Sequence, residues 1–161
     1  MQKRIIATNH AEIEASRTGF LDLDTLAEVE ITSEHPEHPI DAALLPGSIG
    51  GWRAGTPGCQ IIRLHFKQAQ AVCCIQLDFI ESAVSRTQEY LIRLSADEGK
   101  SFVDIVRQQW NFHPQGSTTE SEQHVLNFPA VNTIELNINP DVGNSNAFAS
   151  LASLRVFEFY Q

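Results

Sequence analysis

Long apolar runs are missing from this chain of 161 residues. The longest is the five residues Ala71 to Ile75, far short of the ~20 that a membrane-crossing helix needs. Basic charge is also scarce: 11 Lys and Arg stand against 20 Asp and Glu, a formal net charge of −9. Such a surface repels phosphate backbones and anionic headgroups, so neither nucleic acid nor a membrane is an expected partner. Cysteine is limited to Cys59, Cys73 and Cys74, an odd number that cannot all pair within the chain and fits a reducing, cytoplasmic setting. The start of the chain has Lys3 and Arg4 but then turns polar at Thr8, Asn9 and His10, so no secretory signal is expected. Helical periodicity is rare as well, and 161 residues supply one core rather than two.

What is present is period-two alternation. Ile62, Leu64 and Phe66 are separated by Arg63 and His65; Ile75, Leu77 and Phe79 by Gln76 and Asp78; Tyr90, Ile92 and Leu94 by Leu91 and Arg93. Val103 with Ile105, then Ile134, Leu136 and Ile138, then Leu154 and Val156, repeat the pattern. Each set marks a strand with one buried face, and at least six such strands broken by turns predict an all-β antiparallel sandwich. Asp97-Glu98-Gly99-Lys100 supplies a turn that makes Tyr90 to Trp110 a hairpin.

Between Ser33 and Gly58 the chain carries four prolines and five glycines, too many for regular sheet. Ile40 to Leu45 can form a helical turn or two, and Ile40, Leu44, Leu45, Ile49 and Trp52 predict that this long loop packs down on the sandwich. Residues 1 to 26, with Ile5, Ile6, Phe20, Leu21 and Leu23, read as an N-terminal extension packed on the domain of residues 27 to 160.

The string Val29-Glu30-Ile31-Thr32-Ser33-Glu34-His35-Pro36-Glu37-His38-Pro39-Ile40-Asp41-Ala42-Ala43-Leu44, followed by Gly51-Trp52-Arg53-Ala54 and Pro57-Gly58-Cys59-Gln60, resembles the coagulation-factor type C, or discoidin, domains. These belong to the galactose-binding-like jelly rolls. The resemblance continues through Leu94 to Phe102, Ile138 to Asp141 and Ala149 to Phe157. The Gly51-Trp52-Arg53-Ala54 element is similar to the intracellular branch of that family, including repair-scaffold and intraflagellar-transport relatives, whose members bind protein partners. Leu45 to Gly50 and Ala152 to Leu154 stand where many members place carboxylate calcium ligands. Calcium wants six to eight oxygens, so no metal and no cofactor is expected, and the disulfide of the extracellular members has no counterpart.

Candidate chemistry is sparse. His35 and His38 could ligate a transition metal, but Pro36 and Pro39 hold the segment extended, which favours a loop-packing role. Ser48 lies in Pro46-Gly47-Ser48-Ile49-Gly50, which lacks the first Gly of a nucleophile elbow. Cys73 and Cys74 sit in an apolar run that makes thiols inert. Glu81, Glu89, Asp97 and Glu98 read as exposed charges rather than a glycosidase pair, so the protein is not expected to be an enzyme. Trp52 is expected to bury itself, whereas Trp110 is harder to place, since whether Val103 and Ile105 share its alternation class turns on the presence of a bulge. Arg53, Arg86, Asn144, Asn146 and Phe148 fall in or beside predicted loops, and a jelly roll gathers loops at its ends. In sugar-binding relatives the segment before the last strand supplies an aromatic and an amide, and Asn144 to Phe148 is the matching piece. The reading is a non-catalytic binding module for a partner protein, with recognition of a hexose at the loop end as the alternative.

Overall fold

A computed structural model describes residues 17–159, with the side chains of Arg17 and Thr18 left aside; the expectations for Ile5 and Ile6 lie outside the described residues. The elements run β1 (Arg17–Phe20), α1 (Leu23–Leu26), β2 (Ala27–Ile31), α2 (Asp41–Leu44), β3 (Trp52–Arg53), β4 (Gln60–Ile80), β5 (Arg86–Ser95), β6 (Val103–Phe112), β7 (Thr119–Asn139), β8 (Ser150–Leu151) and β9 (Ser153–Phe159). The architecture is the expected all-β antiparallel sandwich. Its two layers are joined in a way that the alternation pattern does not reveal. Ile62 to Phe66 and Ile75 to Phe79 belong to one strand of 21 residues, and β7 is equally long.

These two strands pair along most of their length. Register shifts between His65 and Cys74 bend them over one end of the domain, as bulges do. One layer contains β1, β9, the second half of β4 and the first half of β7; the other contains β2, the first half of β4, the second half of β7, β5 and β6. Phe79 stacks on Tyr90 across the gap, with centroids 5.2 Å apart. The first and last residues of β4 and β7 therefore share the end opposite the bend, and this end receives β3, β8 and the loops.

One core expectation fails. Val103 is 56% exposed, because the β5–β6 pairing slips between Ile92 and Arg93: Ile92 faces Val106 while Arg93 faces Asp104. The extra residue, Ile105, shifts the alternation, so that Val106, Trp110 and Phe112 face inward. The hairpin turn adopts positive φ at Glu98 (62°) and Gly99 (86°). Asp97 fastens it by accepting from the Ser101 amide and from the Ser95 and Ser101 hydroxyls, which hold its pKa down at about 2.

The long loop packs down, as its apolar content predicts. Ile40, Ala43, Leu44 and Trp52 are buried, and Arg155 on β9 donates to the carbonyl of Ala43 at 2.9 Å. The Trp52 indole N–H donates to Ser33 O at 3.1 Å, so a large side chain is buried without an orphaned donor. Ile49 remains exposed. Residues 17–26 also join the sandwich: β1 pairs with β9, the Leu21 amide donates to Val156 O, and Leu21 and Leu23 are buried.

Candidate functional site

The loop end is built around Arg86. Sequence reasoning places this residue beside a loop with its guanidinium available; instead it opens β5 and its side chain has no exposed surface. Nε donates to Glu81 at 2.9 Å, Nη1 to Gln88 at 3.1 Å and to Pro140 O at 2.9 Å, and Nη2 to Ser150 at 3.2 Å. The guanidinium also lies over the Phe112 ring, 4.8 Å from its centroid. Glu81, expected to be an exposed charge, is buried as its counter-ion. A planar fork of donors suits this task, and with them engaged Arg86 fixes the end rather than reaching solvent. It links the β4–β5 connection, the segment after β7, and β8.

Arg53 is held just outside this knot. Its backbone pairs with Ser150, the same residue that accepts from Arg86. Its amide donates to His38 O at 3.1 Å, and its carbonyl accepts from the His35 amide at 2.8 Å. His35 and His38 thus clamp β3 through their backbones, and among the described residues no group of three metal-ligating side chains is found. Gly51 makes the approach of β3 to β8 possible. With φ at +64°, it lies where a Cβ would come within 2.5 Å of Leu151 O.

The Arg53 guanidinium carbon stands 5.9 Å from the centroid of the half-buried Phe148 ring. Phe148 is placed by its neighbours, since Ala54 N donates to Ala149 O and Gly58 N to Ala147 O. Beside them opens a cleft of about 300 Å³, lined by His38, Gly50, Gly51, Trp52, Arg53, the exposed Ile80, Ser150, Leu151 and Ala152. Ile80 supplies apolar surface to the cleft and Arg53 planar donors, with the Phe148 ring standing next to Arg53.

Asn144 and Asn146 are exposed on the adjoining loop. Asp141 organises this loop, accepting from the Gly143 amide at 3.0 Å and the Thr87 amide at 3.3 Å. The Ser145 hydroxyl and these amides hold the Asp141 carboxyl below the usual carboxylate range. Asn144, at φ 62°, closes the turn by donating its amide to Asp141 O. Of the five candidates, Arg53 and Phe148 meet directly and Arg86 lies behind them as a structural support. The two asparagines stand on the flanking loop. No sequence signal distinguished the half-buried Arg53 from the fully buried Arg86, because Glu81, Gln88 and Ser150 become partners only through long-range pairing.

Sequence reasoning also missed a polar set on the open side between β6 and the first half of β7. Glu120 is buried; one carboxyl oxygen accepts from Gln88 at 3.3 Å and the other has no partner. Burial, followed by the nearby Glu122 charge, raises the Glu120 pKa to about 7. The Trp110 indole nitrogen is likewise buried without a partner. The Tyr90 hydroxyl lies 2.7 Å from His124 Nε2; burial pushes the Tyr90 pKa up and that of His124 down.

No protein-family model and no curated protein sequence matches the chain, whereas solved structures match its fold. One is a carbohydrate-binding module of family 32 from a Clostridium perfringens family 89 glycoside hydrolase, in complex with GalNAc-β-1,3-galactose. It is 20% identical, with a TM-score of 0.60 over 81% of this chain and 94% of that one. The family 32 module of NanJ from C. perfringens, in complex with galactose, is 17% identical, with a TM-score of 0.60 over 87% of this chain and 98% of that one. The family 32 module of AlyQ, in complex with 4,5-unsaturated mannuronic acid, is 19% identical, with a TM-score of 0.55 over 82% and 95%. These likenesses define the class of fold, a galactose-binding-like sandwich of the kind used by non-catalytic carbohydrate-binding modules.

Proposed function

We propose that this protein is a non-catalytic carbohydrate-binding module that takes a neutral hexose in the end cleft. The observation that carries the reading is the meeting of Arg53 and Phe148 at 5.9 Å beside a cleft of about 300 Å³. An apolar plate suits the C–H face of a pyranose, and a guanidinium offers paired N–H donors to vicinal hydroxyls. Asn144 and Asn146, exposed on the loop that carries Phe148, add amides that both donate and accept. The backbone of Arg53 is fixed before any ligand arrives, which lowers the entropic cost of binding. The sugars named with the matching structures favour this reading over a protein partner.

Isothermal titration with galactose, glucose and N-acetylgalactosamine tests it. At least one should bind saturably, in the ~0.1–1 mM range usual for a few hydrogen bonds and one stacked face. Arg53→Ala and Phe148→Ala should each weaken binding about tenfold or more, the equivalent of 1.4 kcal/mol. Absence of saturable binding to all three sugars, or affinities unchanged in both variants, would refute the assignment.

A further inference from the structure

The end cleft is one of several openings at this end of the sandwich. A second, of about 320 Å³, lies where β4, β5, β6 and β7 present their outer face; Glu89, Arg107, Asn137 and Asn139 are among its lining residues. A third, of about 380 Å³, includes Gln109 and Asn111. Arg107, Gln109 and Asn111 alternate along one face of β6, so the two openings adjoin. The second begins at Cys59 and Asn139, where Gly58 bonds to Ala147 and the loop bearing Asn144 and Asn146 leaves β7. That loop is therefore the bridge from the end cleft to the sheet face.

Three of the four amides are held by one atom. Asn139 Oδ1 accepts from the Asp141 amide, Asn111 Oδ1 accepts from Thr87, and Asn137 Nδ2 donates to Glu135. Two amide nitrogens and one amide oxygen therefore have no hydrogen bond among the described residues, yet their orientation is already set. Cations on this face are committed: Arg107 pairs with Glu89, Arg63 with Glu30 and Glu135, and Arg93 with Asp104 and Glu135. Oriented amides without a spare cation suit hydroxyls and leave a carboxylated sugar without a counter-charge. The face crosses three strands, about 10 Å, which extends beyond a single ring.

The geometry points to a neutral oligosaccharide as the ligand, its chain leaving the end cleft, passing the Asn144–Asn146 loop and lying across the amides of β7 and β6. This inference rests on the end-cleft reading and specifies its ligand class. The test is titration of the full chain with galactose and with galactose oligomers of two to four units in β-1,3, β-1,4 and β-1,6 linkage, beside tetragalacturonate. At least one neutral tetramer should bind tenfold or more tightly than galactose, and tetragalacturonate should show no such gain. Asn137→Ala and Gln109→Ala should remove the gain while leaving galactose affinity within twofold. Equal affinity for galactose and every tetramer would overturn the extended track and leave the end-cleft reading intact, as would a gain insensitive to both substitutions. Failure of galactose and every oligomer to bind would overturn both.

Discussion

Replacing Glu120 by Gln should stabilise the protein above neutral pH and have little effect in acid. The Glu120 carboxyl has a pKa of about 7 in the folded chain against 4.5 without the fold, so the folded state holds its proton more tightly than the unfolded state. The corresponding stability is fully present below pH 4.5 and is lost as pH rises through 7, after which folding must accommodate a buried carboxylate. The difference of 2.5 units corresponds to about 3 kcal/mol at 1.36 kcal/mol per unit. Glutamine resembles the protonated acid, retains a group for Gln88 to bond, and cannot ionise. His124 contributes with the opposite sign: burial lowers its pKa, so its stability is lost as pH falls through 6.5. The wild-type profile therefore combines opposing slopes, and the difference between variant and wild type isolates Glu120. Thermal unfolding followed by far-ultraviolet circular dichroism at pH 4.5, 6 and 8 is the assay. The variant's Tm should exceed that of the wild type by about 6–12 °C at pH 8, taking 2–4 °C per kcal/mol, and by almost nothing at pH 4.5. A Tm difference independent of pH would show that Glu120 does not carry the buried proton.

Arg86→Ala should cost about 3–5 kcal/mol, because Glu81 would be left buried without its counter-ion; urea unfolding measures this, and a loss below about 1 kcal/mol would contradict the supporting role. Gly51→Ala should cost more than about 2 kcal/mol from a positive-φ residue pressed against Leu151 O, and should weaken sugar binding by displacing Arg53, as thermal unfolding and titration would report. Lowering pH from 4 to below 2 should release the Asp97 turn, whose carboxyl stays ionised down to about 2 and takes up its proton below that; loss of protection of the Ser101 amide, its exchange taken relative to the intrinsic rate at each pH, is the expected sign.

Strand content was legible from alternating side chains because half-buried sheet imposes that pattern directly. The continuity of β4 and β7 was not, since the residues around the bend, Lys67 to Gln70, carry no alternation and resemble a loop. The first half of β7 escaped for a related reason: its inward positions include Glu120, Glu122 and His124, polar groups on the half-open side between two edge strands. The inward turn of Val106 depended on a bulge that no local residue type marks. At the site, Trp52 and the Gly-rich approach were readable because bulk and positive φ are local properties. The burial of Arg86 and Glu81 was not readable, because an ion pair at the first residue of a strand depends on Ser150 and Pro140 arriving from far along the chain.

The central claim is that a sugar seats in the end cleft beside the paired Arg53 and Phe148. It is tested most directly by titrating the isotopically labelled protein with galactose and following its amide and aromatic resonances. Saturable shifts confined to Arg53, Phe148, Ser150 and the Asn144–Asn146 loop are the predicted result. The absence of shifts at saturating sugar, or shifts centred on the bend at residues 66 to 71 at the opposite end, would contradict it.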